Sequence, residues 1–315
     1  MIILDDVRKE FTHHRKVGRL RRARTTTVAV DGVSLTIEPG EVVGYIGPNG
    51  AGKSTTIKML TGILVPSSGD VRVLGLDPQV HRVQLARRIG VVFGHRTQLW
   101  WDLPLRDSFD LLRHVYRVPS ARHAENVRSF VELLDLGPLL DQPVRQLSLG
   151  QRMRAELTAA LLHDPAILYL DEPTIGLDLV SKAAVREFLA EVNRERGVTI
   201  LLTTHDLDDV ERLCSRLVVI DHGRVVQDST LADVKARFAP HRTVVVDLVE
   251  ARPPLEVPGT EVVEVDGVRQ WLRFHRDEMT AAKVIAGVAA AADIADVTVT
   301  EPDIEEVIRH VYGAA

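Results

Sequence analysis

A chain of 315 residues is long for one ordinary domain and suits a large domain with a small companion, with core enough to need no staples. Its net charge of −5 excludes a surface built throughout to neutralise nucleic-acid phosphate, and its single cysteine, Cys214, excludes an internal disulfide or a cysteine-based metal cluster and points to a reducing compartment. Asp5 and Asp6 occupy the place where a signal peptide needs its apolar core, and no apolar run approaches the roughly 18 residues of a spanning helix, so the chain is expected not to cross a membrane by itself.

In chain order, the first notable segment is HHRKVGRLRRAR, which gathers Arg15, Lys16, Arg19, Arg21, Arg22 and Arg24. It reads either as a solvated loop or as a contact for anionic headgroups or an acidic partner. The pattern TVAVDGVSLTI alternates around Asp31-Gly32, which predicts a hairpin, and Pro39-Gly40 predicts a second turn into the buried run VVGYI. After Lys53, the apolar residues Ile57, Leu60 and Leu64 fall near helical spacing. Strands then alternate with helices through AILYL, VTILLTT and RLVVI, the signature of an α/β fold with a parallel sheet. Between Leu105 and His163 the chain reads as continuous helix, so a helical subdomain over about 98–164 is expected as an insertion. Beyond Pro240 come a turn-rich stretch, a hairpin around Asp266-Gly267, a helix over Met279 to Ala292, a strand and a helix over Ile304 to Val311. The expected organisation is a large domain over 1–239 and a small α+β domain over 240–315.

Gly47-Pro48-Asn49-Gly50-Ala51-Gly52-Lys53-Ser54 fits G-x-x-x-x-G-K-[ST] and lies after a predicted buried strand and before a predicted helix. Its glycines let backbone N–H groups wrap phosphates, Lys53 reaches the β- and γ-phosphates, Ser54 can ligate magnesium, and Thr55 extends the polar helix start. The strand AILYL ends in Asp171-Glu172, placing two carboxylates at the carboxyl edge of the sheet. Asp171 is assigned to magnesium and Glu172 to polarising the attacking water.

Leu147-Ser148-Leu149-Gly150-Gln151 resembles the signature motif of ATP-binding cassette (ABC) ATPases, and the order of motifs is that of the family: phosphate loop, glutamine-loop region, signature, Asp171-Glu172, Gly176-Leu177-Asp178, and His205 after a strand. The resemblance covers about Met1 to Phe238 and implies an ABC-cassette P-loop NTPase fold, with parallel-sheet core, antiparallel β subdomain and inserted helical subdomain. It implies ATP and Mg2+, and a composite site: Lys53, Ser54, Asp171, Glu172 and His205 from one subunit face Ser148 and Gly150 of a second cassette, with Gln151 and Asp178 also among the nucleotide-binding residues. Phe11 stands where the family keeps an aromatic that stacks on adenine; the alternative is a strand-end core residue. His95 stands where the family has a magnesium-touching glutamine. Either His95 works through water, or Gln98 reaches back, or the metal contact is weakened. Trp100-Trp101 reads as subdomain core or as an anchor for a membrane subunit. The segment QLWWDLP with LSLGQRMR and EPTIGLD looks like ATPases of bacterial drug-exporter-like systems whose permeases are separate chains. That likeness implies a cassette dimer at the cytoplasmic membrane face, held by integral permeases, with no nucleic acid. The alternatives are an importer ATPase with a regulatory tail and a soluble ABC ATPase acting on ribosome or DNA.

Overall fold

The computed structural model describes residues 1–17, 21–94, 96–238, 241–301, 304–305 and 307–308, and the side chains of these apart from 14–17, 21–24 and 238. It divides into two compact units, Met1–Ser229 and Thr230–Ala315, so the division falls before the residue expected from sequence, Pro240.

The first unit opens with β1 (Ile2–Val17) and β2 (Arg21–Ile37), followed by β3 (Val42–Ile46), α1 (Lys53–Leu60), β4 (Ser68–Val73), α2 (Arg82–Ala86) and β5 (Ile89–Phe93). Strands β2, β1 and β4 form an antiparallel sheet in that order. The hairpin expected at Asp31-Gly32 is absent. β2 pairs with the earlier strand β1 from Ile37↔Ile2 to Arg21↔Val17, so the dipeptide is a bulge inside one strand. Gly32 takes φ 72°, and the Asp31 carboxylate accepts from Arg8 Nη1 at 2.5 Å and Arg224 Nη2 at 2.6 Å. Those partners hold the carboxylate below its usual range, the Arg224 hydrogen bond foremost.

The helical insertion comprises α3 (Leu105–Tyr116), α4 (Ser120–Leu133) and α5 (Leu149–Leu161). It is not the continuous helix expected. Arg117, at φ 58°, ends α3 and Pro119 precedes α4, while residues 134–148 carry two 3₁₀ turns, at Gly137–Leu139 and Val144–Gln146. Pro119, Pro138 and Pro143 each lack the N–H that an uninterrupted helix would need. Then follow β6 (Ile167–Asp171), α6 (Leu179–Arg196), β7 (Thr199–Thr203), α7 (Leu207–Leu213), β8 (Arg216–Asp221) and β9 (Arg224–Thr230).

The second sheet runs β5-β6-β7-β3-β8-β9, and the pairs β5–β6, β6–β7, β7–β3 and β3–β8 are parallel. Because helices are to cover both faces of such a sheet, its strands read as near-continuous apolar runs: Leu168, Tyr169 and Leu170 are all 0 % exposed. Burying a side chain such as Leu170 fully contributes roughly 1.5–3 kcal/mol. Polar residues are thereby confined to the strand ends.

In the second unit, α8 (Leu231–Phe238) is followed by β10 (His241–Leu248), β11 (Thr260–Asp266), β12 (Arg269–His275), α9 (Ala281–Ala291) and β13 (Ile294–Thr300). The strands form an antiparallel sheet in the order β11-β12-β10-β13. The hairpin expected at Asp266-Gly267 is present, with Gly267 at φ 59°. Val284 and Val288 of α9 pack on Val244, Val246 and Leu272. The expected helix over Ile304 to Val311 falls in part outside the described residues.

Candidate active site

At two glycines of the loop joining β3 to α1, close contacts leave no room for a side chain. A Cβ at Gly47 would lie 2.2 Å from the Ile220 carbonyl oxygen, and one at Gly52, which caps α1 at φ 109°, would lie 2.4 Å from that of Ala29. The backbone therefore curls into a cradle whose N–H groups open a helix. Lys53 is 8 % exposed, and its Nζ donates to the loop carbonyls of Gly47 at 2.6 Å and Pro48 at 3.1 Å. Burial lowers its pKa, against the opposing pull of Glu172 and Asp171. A buried ammonium held by neutral carbonyls and overlooking two carboxylates is chemically suited to a polyphosphate with its counter-ion.

Asp171 ends β6, and its Oδ1 accepts from Ser54 Oγ at 3.1 Å and Thr203 Oγ1 at 2.6 Å. One oxygen-rich corner thus joins the helix start to two strand ends. Its donor set, a hydroxyl with a carboxylate, suits magnesium, which is bound by one or two carboxylates together with substrate phosphates. Thr203 is not singled out in the sequence, although it stands in the strand run VTILLTT, two residues before His205.

Glu172 takes φ 58°, a conformation few non-glycine residues adopt, and its N–H donates to the Thr203 carbonyl at 2.9 Å. This turn sends its carboxylate to His205: Oε2 lies 2.7 Å from Nδ1 and 3.3 Å from the backbone N. A carboxylate only accepts, so Nδ1 carries the hydrogen in this contact. Lys53, Ser54, Thr55, Asn49, Gly50, Asp171, Glu172 and His205 all line one open cleft of about 570 Å³.

Other expected site residues stand apart from that cleft. Phe11 is half-buried on β1 opposite Thr27, with the Lys9 ammonium 5.3 Å from its ring centre, and does not line the cleft. Ser148 caps α5 in a reciprocal pair: its Oγ accepts from Gln151 N at 3.3 Å, and Gln151 Oε1 accepts from Ser148 N at 2.9 Å. Gly150 packs so tightly on α6 that a Cβ would lie 2.5 Å from Ser181 Oγ, and Ser181 in turn donates to Asp178, the cap of α6. None of Ser148, Gly150, Gln151 and Asp178 lines the cleft around Lys53. His95 lies outside the described residues.

Gln98 turns the other way: its Nε2 donates to the Glu156 carbonyl at 3.2 Å, on α5. Glu156, missed in the sequence, is 5 % exposed, with Thr97 Oγ1 on Oε1 and the Gln98 N–H 3.2 Å from Oε2. A groove of about 540 Å³ opens beside it, lined by Trp101, Leu149, Arg152 and Met153 among others. Trp100 and Trp101 are 39 % and 47 % exposed, so the pair is not subdomain core, and the Arg152 guanidinium sits 5.5 Å from a Trp101 ring centre.

Buried strand β3, glycine cradle, lysine at the helix start and carboxylates at the end of β6, one strand removed from β3 across β7, define a P-loop nucleoside-triphosphatase. A family profile described as ABC transporter matches residues 30–175. The methionine import ATP-binding protein MetN of Latilactobacillus sakei is 33 % identical over 95 % of this chain and 89 % of its own length. The daunorubicin resistance ATP-binding protein DrrA3 of Streptomyces coeruleorubidus is 33 % identical over 90 % of this chain and 91 % of its own. A dimeric ATP-binding cassette solved in a post-hydrolysis state with ADP and Pi superposes with a TM-score of 0.61 at 26 % identity, covering 73 % of this chain and 99 % of that one. The chain belongs to the ATP-binding, ATP-hydrolysing subunits of ABC transporters.

Proposed function

We propose that this chain drives export through separate membrane permeases, as a homodimer closing around two ATP molecules at the cytoplasmic membrane face. The observation that carries the dimer is the separation within one chain: the cleft holds Lys53, Asp171, Glu172 and His205, whereas the cap of α5 at Ser148 and Gly150 stands outside it. A helix start with free N–H groups suits a phosphate, and a second copy supplies it. The exposed Trp100-Trp101 pair with Arg152 is the proposed permease contact, since aromatic and arginine side chains dominate interface anchors. The second unit carries no phosphate loop in its sequence and is assigned to dimer contact or regulation.

In hydrolysis, the cradle N–H groups and Lys53 hold the β- and γ-phosphates, Lys53 exchanging the Gly47 and Pro48 carbonyls for them. Ser54 and Asp171 would hold the magnesium ion, which neutralises developing phosphate charge when bound. Glu172 takes a proton from the attacking water as its oxygen bonds to the γ-phosphorus and the bond to the ADP oxygen breaks. His205 orients that carboxylate through Nδ1.

Export is supported by the drug-resistance relative. A second reading, import, is favoured by the methionine-import relative, which aligns along nearly the whole chain, tail included. ATP-dependent accumulation in inverted vesicles carrying the complex with its permeases tests the direction: accumulation there supports export, and accumulation only in right-side-out vesicles supplied with internal ATP establishes import.

A further inference from the structure

Behind the Glu172–His205 pair lies a polar junction that the chemistry above does not use. Asp209, in the first turn of α7, is 0 % exposed, and Thr174, two residues after Glu172, is 2 % exposed. The Thr174 hydroxyl donates to Asp209 Oδ2, and Arg186 Nε of α6 donates to Oδ1 at 2.5 Å. The Arg186 guanidinium also faces Asp206 at 3.6 Å and Asp208 at 3.8 Å, and Lys182 pairs with Asp206. Asp206 follows His205 directly.

A fully buried carboxylate is costly to place and stabilises little in net terms, even when well paired. This one joins three segments: the turn that follows Glu172, the helix that follows Asp178, and the helix that follows His205. The Glu172 backbone is itself strained, at φ 58°, and such a residue persists only when its surroundings over-determine it. Thr174 is the nearest downstream residue of that turn anchored by its side chain, since its hydroxyl reaches α7 while its carbonyl accepts from Leu177 N at 3.2 Å.

We propose that Asp209, acting through Thr174 and Arg186, is a positioning residue for ATP hydrolysis, holding the turn after Glu172 onto α7 so that the Glu172 carboxylate stays on the His205 ring. This rests on the reading of Glu172 as the base. Asp209 touches no nucleotide, so its effect falls on the chemical step and not on ATP binding.

The test is a mutant cycle on the full chain, read as ATPase kcat and KM, with single-turnover rates where turnover is slow and thermal melting in parallel. Thr174→Val, of the same shape without the hydroxyl, is expected to lower kcat about tenfold, a fraction of the roughly 10²-fold that a 1 Å misplacement costs, with KM for ATP unchanged within about twofold. Thr174→Ser, which keeps the donor, should restore kcat. Asp209→Ala, which removes both carboxylate acceptors while Asp206 and Asp208 still face Arg186, should behave as Thr174→Val and add nothing when the two are combined. In a Glu172→Gln background, Thr174→Val and Asp209→Ala should each have no further effect, because there is no base left to misplace. An equal fold-loss in that background, an unchanged kcat, or a loss confined to KM would overturn the positioning role. Should Thr174→Val fail to fold, Asp209→Ala carries the same cycle. A Glu172→Gln protein as fast as wild type would instead overturn the reading of Glu172 itself, and so separates the two failures.

Discussion

Two sheets of this protein, the parallel one of the first unit and the antiparallel one of the second, treat polar side chains in opposite ways. In the first unit the parallel strands are buried on both faces, and Asp171, Glu172, Thr203 and His205 stand at or just past the carboxyl ends of β6 and β7, facing Lys53 and Ser54 at the start of α1. In the second unit α9 covers one face of an antiparallel sheet, and strand alternation spreads charges over the other: Asp247 meets Arg269, and Glu261 meets Arg273, as exposed cross-strand pairs. Such pairs add little stability and enclose no cleft. Confinement between helices makes polar groups converge, whereas a half-covered sheet lets them disperse.

The largest way to break this contrast is at the convergence itself. Glu172→Gln should keep ATP binding and slow turnover by about 10²–10⁴-fold, the worth of a positioned general base. ATP should then hold the protein as a dimer, seen by sizing chromatography; turnover at the wild-type rate would remove Glu172 from the role of base. Lys53→Ala acts earlier and should weaken ATP affinity itself, measured by equilibrium binding, since it deletes the charge that meets the phosphates. Gly52→Ala tests the cradle without touching charge. With φ at 109° and the Ala29 carbonyl 2.4 Å from the new Cβ, the loop must shift, and ATP affinity should fall by about tenfold, the equivalent of a strain of roughly 1–3 kcal/mol. Wild-type affinity would mean that the loop geometry is not needed for binding.

Dispersal in the second unit carries the converse expectation: removing it should cost little catalysis. Chains ending at Ser229 and at residue 239 should both keep basal ATPase within about twofold, because all cleft residues lie in the first unit. Comparing their melting separates the structural boundary from the one expected near Pro240. A cassette that loses its ATPase on truncation would show that the second unit supports the site directly.

What could be read from sequence follows the same division. The phosphate loop, the strand-end carboxylates and His205 were legible because each is a local pattern placed by the strand before it. The Asp31-Gly32 bulge was not, since a dipeptide that often turns a chain was overruled by pairing with β1, many residues earlier. The helical insertion misled for a different reason: apolar spacing continued across Pro119 and Pro138 although the helices did not. Asp209 reads as a surface acid in a first helical turn, and only the packing of α6 and α7 reveals it as fully buried. Gln98 was a candidate to reach the metal, yet the carbonyl of Glu156, two elements away, holds its amide.

Glu156 gives the smallest and most specific expectation. Burial raises its pKa, against the lowering pull of the Thr97 hydroxyl, the Gln98 N–H and Arg152. Since the folded value lies above the unfolded one of about 4.3, the folded chain binds this proton more readily, and its contribution to stability is fully present below that pH and lost as pH rises through the raised value. Glu156→Gln keeps the contacts without the charge: its Oε1 can accept from the Gln98 N–H, and its Nε2 can donate to Thr97 Oγ1, whose own hydrogen can turn to the Leu99 carbonyl at 3.4 Å. The variant should therefore melt close to wild type at about pH 4 and progressively above it toward pH 7, by an amount on the order of a few degrees. Every other acid titrates alike in the two proteins, so only the difference between their melting curves is informative. A difference that stays flat with pH, or that narrows as pH rises, would mean that Glu156 is ionised as easily in the fold as out of it, and that the floor of the Trp101 groove is wetter than its burial indicates.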